Sequence, residues 1–283
     1  MREIQSIDNP NLSIVLPGNC SANCSFCFGK NKKTDLSVKE YLVELRKVLN
    51  ALPKHFKTVS ITGSEPTESP YLIPVLKELQ SYIRYSGELD RVVLSTNGLH
   101  LKKIVNSSQH QELLKNVLTH VNVSRHHYNM MKNREIFNVD RDSVNVPCTI
   151  SLQIIRERLA DLDIEMSLSF VYDNSTFNYD NMENFIEYAK HVGVVGLRCR
   201  YDQQLTDSLD PSALEDEYLQ YHTIDETFCP VCRHKVQSID GMKVTWIYSL
   251  LEPSTEMNAI YELIFQHDGR LTADWEGLTE VVL

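Results

Sequence analysis

The chain lacks the long apolar run that would cross a bilayer: nothing in its 283 residues approaches the roughly 18 consecutive apolar positions a spanning helix needs. That excludes a helical membrane protein. Its first twenty residues, MREIQSIDNPNLSIVLPGNC, lack the basic start, apolar stretch and small-residue cleavage site of a secretory signal. The seven cysteines are therefore expected in a reducing, cytoplasmic setting, as ligands or free thiols and not as disulfides. Basic residues are in deficit, 28 Lys and Arg against 38 Asp and Glu, for a net charge of -10. A broad phosphate-binding surface rests on clustered Lys and Arg, so a nucleic-acid partner is disfavoured. Short repeats, low-complexity tracts and long linkers are also missing, which leaves the order of elements to define the domains. With 42% hydrophobic residues there is ample material for one barrel-sized core.

What is present is a recurring strand, loop and helix. The strands are Leu12 to Leu16, Thr58 to Thr62, Arg91 to Ser95, Val121 to Ser124, Ile164 to Tyr172 and Val194 to Tyr201. Helical periodicity runs from Ser37 to Leu52, from Pro70 to Tyr85, more weakly to Leu118, then from Cys148 to Leu162, Asn181 to His191 and Pro211 to Tyr221. Six such units with near-continuous apolar strands predict a parallel sheet covered on both faces. Six are too few for a closed eight-stranded barrel, so an open doubly wound sheet or a three-quarter barrel fits the count. From Ile224 the pattern changes. A Cys229-Pro230-Val231-Cys232 turn, a strand-like Lys243 to Leu251, and Ile260 to Phe265 joined through His267-Asp268-Gly269-Arg270 to a further strand predict a small antiparallel appendage. The domain reading is residues 1–222 for the barrel and 223–283 for the appendage.

Three cysteines at C-x3-C-x2-C spacing, Cys20, Cys24 and Cys27, follow the first strand. Thiolates clustered on one loop suit zinc or an iron-sulfur cluster, and a local set of three leaves one coordination position open. With Phe26 before the last cysteine, the loop resembles the cluster-binding loop of the radical S-adenosylmethionine (SAM) superfamily. The resemblance implies an α/β fold, a partial (β/α)6 barrel, with a 4Fe-4S cluster on these thiolates and SAM as cofactor. It also implies a one-electron donor such as flavodoxin or ferredoxin. Gly63-Ser64-Glu65-Pro66 after the second strand is similar to the family's GGEP motif, which is implied to hold the amino group of SAM, with Ser64 in place of the second glycine. Ser95-Thr96-Asn97-Gly98 after the third strand resembles its STNG sequence, implying SAM contacts from Ser95 and Asn97 as well as Phe26.

Other strand ends carry polar groups whose roles the sequence leaves open. Ser124 and Arg125 end the fourth strand, while Arg198 and Arg200 lie on the sixth. An arginine fork there suits the methionine carboxylate of SAM, a substrate, or a structural ion pair. His126 and His127 are candidate substrate contacts or proton carriers, and otherwise surface residues. Cys148 and Cys199 read as small buried apolar residues. Cys229 and Cys232 are a candidate second metal site. With the later DGRLTAD stretch they resemble the C-terminal segment of the GTP-cyclising enzymes of molybdenum-cofactor synthesis, where a third cysteine completes a second cluster. Asp274 or Trp275 stands about there, so zinc with His234 or His267, a cluster with an oxygen or nitrogen ligand, a bare thiol pair and no metal at all stay open.

The function these features imply is reductive cleavage of SAM to a 5′-deoxyadenosyl radical that abstracts hydrogen from a small-molecule substrate, nucleotide-like in one reading. The cysteine loop also resembles that of viperin, a nucleotide-modifying member of the superfamily. Two alternatives stand beside it. A radical enzyme acting on a peptide needs a docking segment or a partner that presents the peptide, and about eleven residues precede the first strand. A non-catalytic iron-sulfur or zinc regulator needs the cysteines but neither Glu65 nor Asn97.

Overall fold

Leu12, Ile14 and Leu16 have almost no exposed surface, and Ser13 and Val15 between them are buried too, so β1 (Asn11–Leu16) is covered on both faces and flanked on both edges. The computed structural model describes residues 11–27, 29, 32–51, 57–86, 89–139, 146–172, 179–201, 226–228, 234–247 and 262–281. On one side β1 pairs in parallel with β2 (Thr58–Gly63). From there β3 (Arg91–Thr96), β4 (His120–Ser124), β5 (Glu165–Tyr172) and β6 (Leu197–Tyr201) add in chain order, each parallel to the last. All six therefore end at the same rim, where their following loops collect. The α/β architecture expected for a partial barrel is present.

The C-terminal strands join this sheet at both ends. The hairpin of β8 (His234–Ile239) and β9 (Met242–Ile247) docks β9 in parallel on β6, with β7 (Glu226–Phe228) outside it. β10 (Glu262–Phe265) lies parallel to β1 and turns back antiparallel into β11 (Leu271–Thr272). The result is one sheet in the order β11-β10-β1-β2-β3-β4-β5-β6-β9-β8-β7. The antiparallel hairpins match the expected appendage, but they are knitted into the sheet's two edges.

Helices follow the strands. α1 (Val38–Ala51) opens with a capping box: Ser37 Oγ accepts from Glu40 N–H at 3.3 Å while Glu40 Oε2 accepts from Ser37 N–H at 2.8 Å. α2 (Leu72–Ser86) tolerates Pro74 because it falls in the first turn. The weak helical stretch after β3 is two helices, α3 (Leu101–Val105) and α4 (Ser108–Val117). α6 (Thr149–Ala160) and α7 (Tyr179–Val192) lie where periodicity puts them. α5 (Met130–Phe137) was not expected. It occupies a stretch that reads as a long loop, started by Asn129, whose Oδ1 accepts from Met131 and Lys132 N–H, and stopped by Asn138 at φ 46°. β7 and β8 are also additions, the latter joined to β9 by Asp240 and Gly241, both at positive φ as a tight hairpin turn requires. The helix read at Pro211 to Tyr221 and the pair Cys229 and Cys232 lie outside the described residues.

Candidate functional site

The loop after β1 is fixed at several points before any ligand is considered. Ser69 Oγ donates to Pro17 O at 2.6 Å and Gly18 N–H to Lys32 O at 2.9 Å. Glu68 accepts from both N–H and Oγ of Ser21, at 3.1 and 2.8 Å, and Asn23 N–H donates to Phe137 O at 2.7 Å. Ala22 packs with Phe137, Val139 and Val146, and Cys20 and Cys24 rest against that cluster. Held in this way, Cys20, Cys24 and Cys27 all line one cavity of about 240 Å3. None of the five described cysteines forms a disulfide.

Burial pushes the Cys20 thiol up to about 11, with Glu65 and Glu68 adding to the rise; the backbone of Ala22 and the side chain of Asn97 oppose it. Asn97 Nδ2 donates to Cys20 Sγ at 3.5 Å. A thiolate there is stabilised by a bound cationic centre. Among the described residues no three His, Cys, Asp or Glu side chains converge on a single ion. A cubane cluster is ligated at its corners, so its thiolates stand further apart than the ligands of one ion, and three thiols on one anchored loop fit it.

The loop after β2 faces the cysteines across the cavity. Gly63 sits at φ 135°, and a Cβ there would stand 2.3 Å from Leu16 O, so only glycine lets the two strand ends approach this closely. Ser64 Oγ accepts from Lys32 N–H at 2.8 Å and donates to Gly29 O at 3.3 Å, which ties this loop to the end of the cysteine loop. Glu65 is buried. Its Oε1 accepts from Thr67 N–H, Thr67 Oγ1 and Thr96 Oγ1 at 2.9, 2.5 and 2.5 Å. Its Oε2 accepts from Asn97 N–H at 2.7 Å. The carboxylate thus fastens the β2 loop to the β3 loop, and Oε2, with a single protein partner, keeps acceptor capacity. Burial raises its carboxyl above the ordinary range, against these four donors. Pro66 begins a short 3-10 turn, Pro66–Glu68, and lines the cavity with Ser95 and Asn97.

On the far wall the alternation of strand residues decides which groups arrive. Ser124 lines the cavity, but Arg125 does not: its guanidinium donates to Pro147 O and Tyr128 O at 2.8 and 3.2 Å and lies over the Tyr188 ring at 5.2 Å. His126 returns to the cavity. Its Nδ1 accepts from Val171 N–H at 3.2 Å, and its ring meets Phe26 and Phe137 edge-on at 4.8 and 5.3 Å. Burial, then Arg125 and Arg200, hold it neutral with a pKa of about 3, so the proton sits on Nε2. His127 stays outside the cavity, with Nδ1 accepting from Asn129 N–H at 2.9 Å. Arg200 lines the cavity and Arg198 does not. Cys199 is fully buried, whereas Cys148 is only half-buried, ahead of α6.

Several lining residues carried no motif: Lys32, Thr62, Asn122, Ser169, Gln266 and Trp275. Strand alternation was the available signal for Asn122 beside Ser124 and for Ser169 beside Val171. Asp274, aligned with the expected third late ligand, accepts from Leu278 and Thr279 N–H at 2.9 and 2.5 Å and so caps a turn.

Comparison with known proteins follows the same lines. Residues 14–144 match the model of the radical SAM superfamily. A probable GTP 3′,8-cyclase of Sulfurisphaera tokodaii is 25% identical over 232 residues, 81% of this chain and 65% of the relative. Among solved structures, Streptococcus suis SuiB bound to S-adenosylmethionine superposes with a TM-score of 0.65 at 13% identity, over 97% of this chain and 63% of that one. SuiB bound to its precursor peptide SuiA gives 0.64 at 12%, over 98% and 62%. A radical SAM methyltransferase from Sphaerobacter thermophilus gives 0.52 at 13%, over 93% and 70%. The chain spans a little under two thirds of the length of the cyclase and of SuiB.

Proposed function

We propose that this chain, whose residues 14–144 match the radical SAM superfamily, is a radical SAM enzyme that holds a 4Fe-4S cluster on Cys20, Cys24 and Cys27 and SAM beside it, and takes a hydrogen atom from a small-molecule substrate. The observation that carries the reading is the convergence of the three thiols and the loops after β2 and β3 on one cavity. When bound, the cluster and SAM supply a one-electron cleavage of the sulfonium that yields a 5′-deoxyadenosyl radical. The chain's own residues position and shelter that chemistry. Gly63 brings the β2 loop's backbone close, Ser64 and Glu65 lock it to its neighbours, and Asn97 donates toward the Cys20 sulfur. Phe26, Phe137 and Ala22 wall the thiols with apolar surface, which keeps water from a reactive centre.

The segment read as residues 223–283 completes the cavity, supported by Gln266 and Trp275 in its lining. The relative named as a GTP 3′,8-cyclase supports a nucleotide-like substrate. SuiB, solved with its precursor peptide, supports a peptide as the alternative. Flavodoxin or ferredoxin supplies the electron, in a cytoplasm that keeps the thiols reduced. No described helix is long and apolar enough to cross a membrane. The test is to incubate the reconstituted, reduced protein with SAM under anaerobic conditions and assay 5′-deoxyadenosine. Release by the parent, together with loss of the brown chromophore in the Cys20→Ala, Cys24→Ala, Cys27→Ala variant, is the expected result. A parent with a full iron load that leaves SAM intact overturns the reading.

A further inference from the structure

The proposed SAM side of the cavity is built from the loops after β1, β2 and β3, which leaves an opposite wall for the substrate. That wall comes from β4, β5, β6 and the hairpin after β10: Asn122, Ser124, Ser169, Arg200, Gln266 and Trp275. Its groups are two hydroxyls, two amides, one indole and one guanidinium, with the neutral His126 ring after β4 on the same side. It holds no carboxylate among the described residues. Among the described residues the cavity's single lining acid, Glu65, is on the other side, held there by Thr67, Thr96 and Asn97.

Arg200 is the unusual member. Its Nε is buried without a hydrogen-bond partner among the described residues, a costly arrangement for a guanidinium unless something completes it. Glu262, the acid whose charge reaches it, stands six places away in strand order, on β10. It is already engaged, accepting from Ser13 Oγ at 2.6 Å and from Trp275 Nε1 at 3.2 Å. Gln266 is similarly committed through its Nε2 to Thr272 Oγ1 at 2.9 Å, which fixes its side chain at the cavity edge. Arg200 is therefore a cation built into a wall of neutral partners, backed by an acid that does not pair with it directly.

We infer that this wall is an anion subsite in which Arg200 receives a carboxylate or phosphate group of the substrate, with Trp275 beside it. The inference rests on the radical SAM reading only for the division of the cavity between cofactor and substrate. The chain's overall charge of -10 does not oppose it, because among the described residues the lining carries Lys32 and Arg200 against one acid, Glu65, on the cofactor side.

The probes are inorganic phosphate and acetate, titrated at constant ionic strength against the cluster-reconstituted full chain, without SAM and then SAM-loaded, with binding followed as a saturable rise in melting temperature. The tighter of the two names the group. Arg200→Gln should weaken that binding by roughly tenfold to a hundredfold, the loss of one charge-assisted contact. Arg84→Gln, on the outer end of α2, should bind as the parent does. If Arg200→Gln does not fold, phenylglyoxal modification of the parent, mapped by mass spectrometry, decides: the bound anion should shield Arg200 and leave Arg84 reactive. Failure of both anions to bind, unaltered affinity in Arg200→Gln, absence of shielding, or loss of anion binding once SAM is loaded would each overturn the inference, the last by giving the guanidinium to SAM. A parent that binds phosphate yet forms no 5′-deoxyadenosine keeps the subsite and removes the radical reading instead.

Discussion

Gly63 and Arg125 show what single residues contribute and how far each can be read from its letter. At Gly63 a Cβ would collide with the backbone N and O of Leu16, at 2.7 and 2.3 Å, and neither is the mobile end of a side chain. Gly63→Ala should therefore cost about 3 kcal/mol, through clash and a positive φ together, and lower the unfolding midpoint in denaturant accordingly. A midpoint equal to the parent's would mean that β1 and β2 can separate at their ends without loss. That Cys20, Cys24 and Cys27 meet at one cavity was legible because three like residues at close spacing on one strand-end loop stay together whatever the fold around them. Arg125 was not, although it ends a strand beside Ser124. Neighbouring residues on a strand face opposite ways, so a cavity that receives Ser124 sends Arg125 outward to Pro147 and Tyr188. Arg198 and Arg200 share a face but differ in depth by two residues, roughly 7 Å along the strand, and only the one nearer the rim lines the cavity.

Among the described helices, α5 was the one hidden in the sequence, and it sets the position of His126. The helix has eight residues and places Met130 and Met131 on the surface, so its apolar face is too narrow to give a clear period; its ends are set instead by Asn129 and Asn138. From its second turn the fully buried Asn133 turns Oδ1 to accept from the N–H groups of His126 and His127, at 2.7 and 3.2 Å. Asn133→Leu keeps the size and removes the acceptor, leaving two buried donors unpaired. The expected loss is roughly 3 kcal/mol of stability, with exchange-broadened or shifted His126 ring signals in NMR spectra. Unchanged stability and ring shifts would show that this chain segment is held by packing of Phe137 alone. By contrast the β8–β9 hairpin had a readable signal, Asp240-Gly241 between alternating residues, that marks a tight turn without the partner strands. That β9 would lie on β6 and β10 on β1 could not be read locally, because pairing across such sequence distance is decided by which edges remain open.

At the largest scale, the described residues form one sheet of eleven strands, curled far enough for Arg200 on β6 and Glu262 on β10 to sense each other's charge. Several buried ionisable groups have pKa values moved from their ordinary range, and this makes stability depend on pH. His126 is lowered to about 3 by burial and the nearby Arg125 and Arg200. His120 falls to about 4, by burial first and then Arg91, with Nε2 2.7 Å from Ser167 Oγ. For each, the folded chain keeps a neutral ring while the unfolded chain takes up a proton below pH 6.5. Their contribution is thus complete above pH 6.5 and is lost as pH falls toward the folded values. The rate is about 1.4 kcal/mol per pH unit for each histidine. Glu65 and Glu262 act in the other direction, since burial raises both carboxyls and the folded chain gains stability as pH falls through their shifted range. The parent's curve therefore mixes the two signs, and a comparison with a variant isolates one. His126→Gln removes a single unfolded-state proton uptake, so between pH 6.5 and 4.5 its stability should fall less steeply than the parent's, by up to about 1.4 kcal/mol per unit. Denaturant unfolding under anaerobic conditions at a series of pH values measures the two slopes directly. Parallel slopes would mean that the His126 ring is already protonated in the folded chain or reaches solvent, and that Val171 N–H does not occupy its Nδ1.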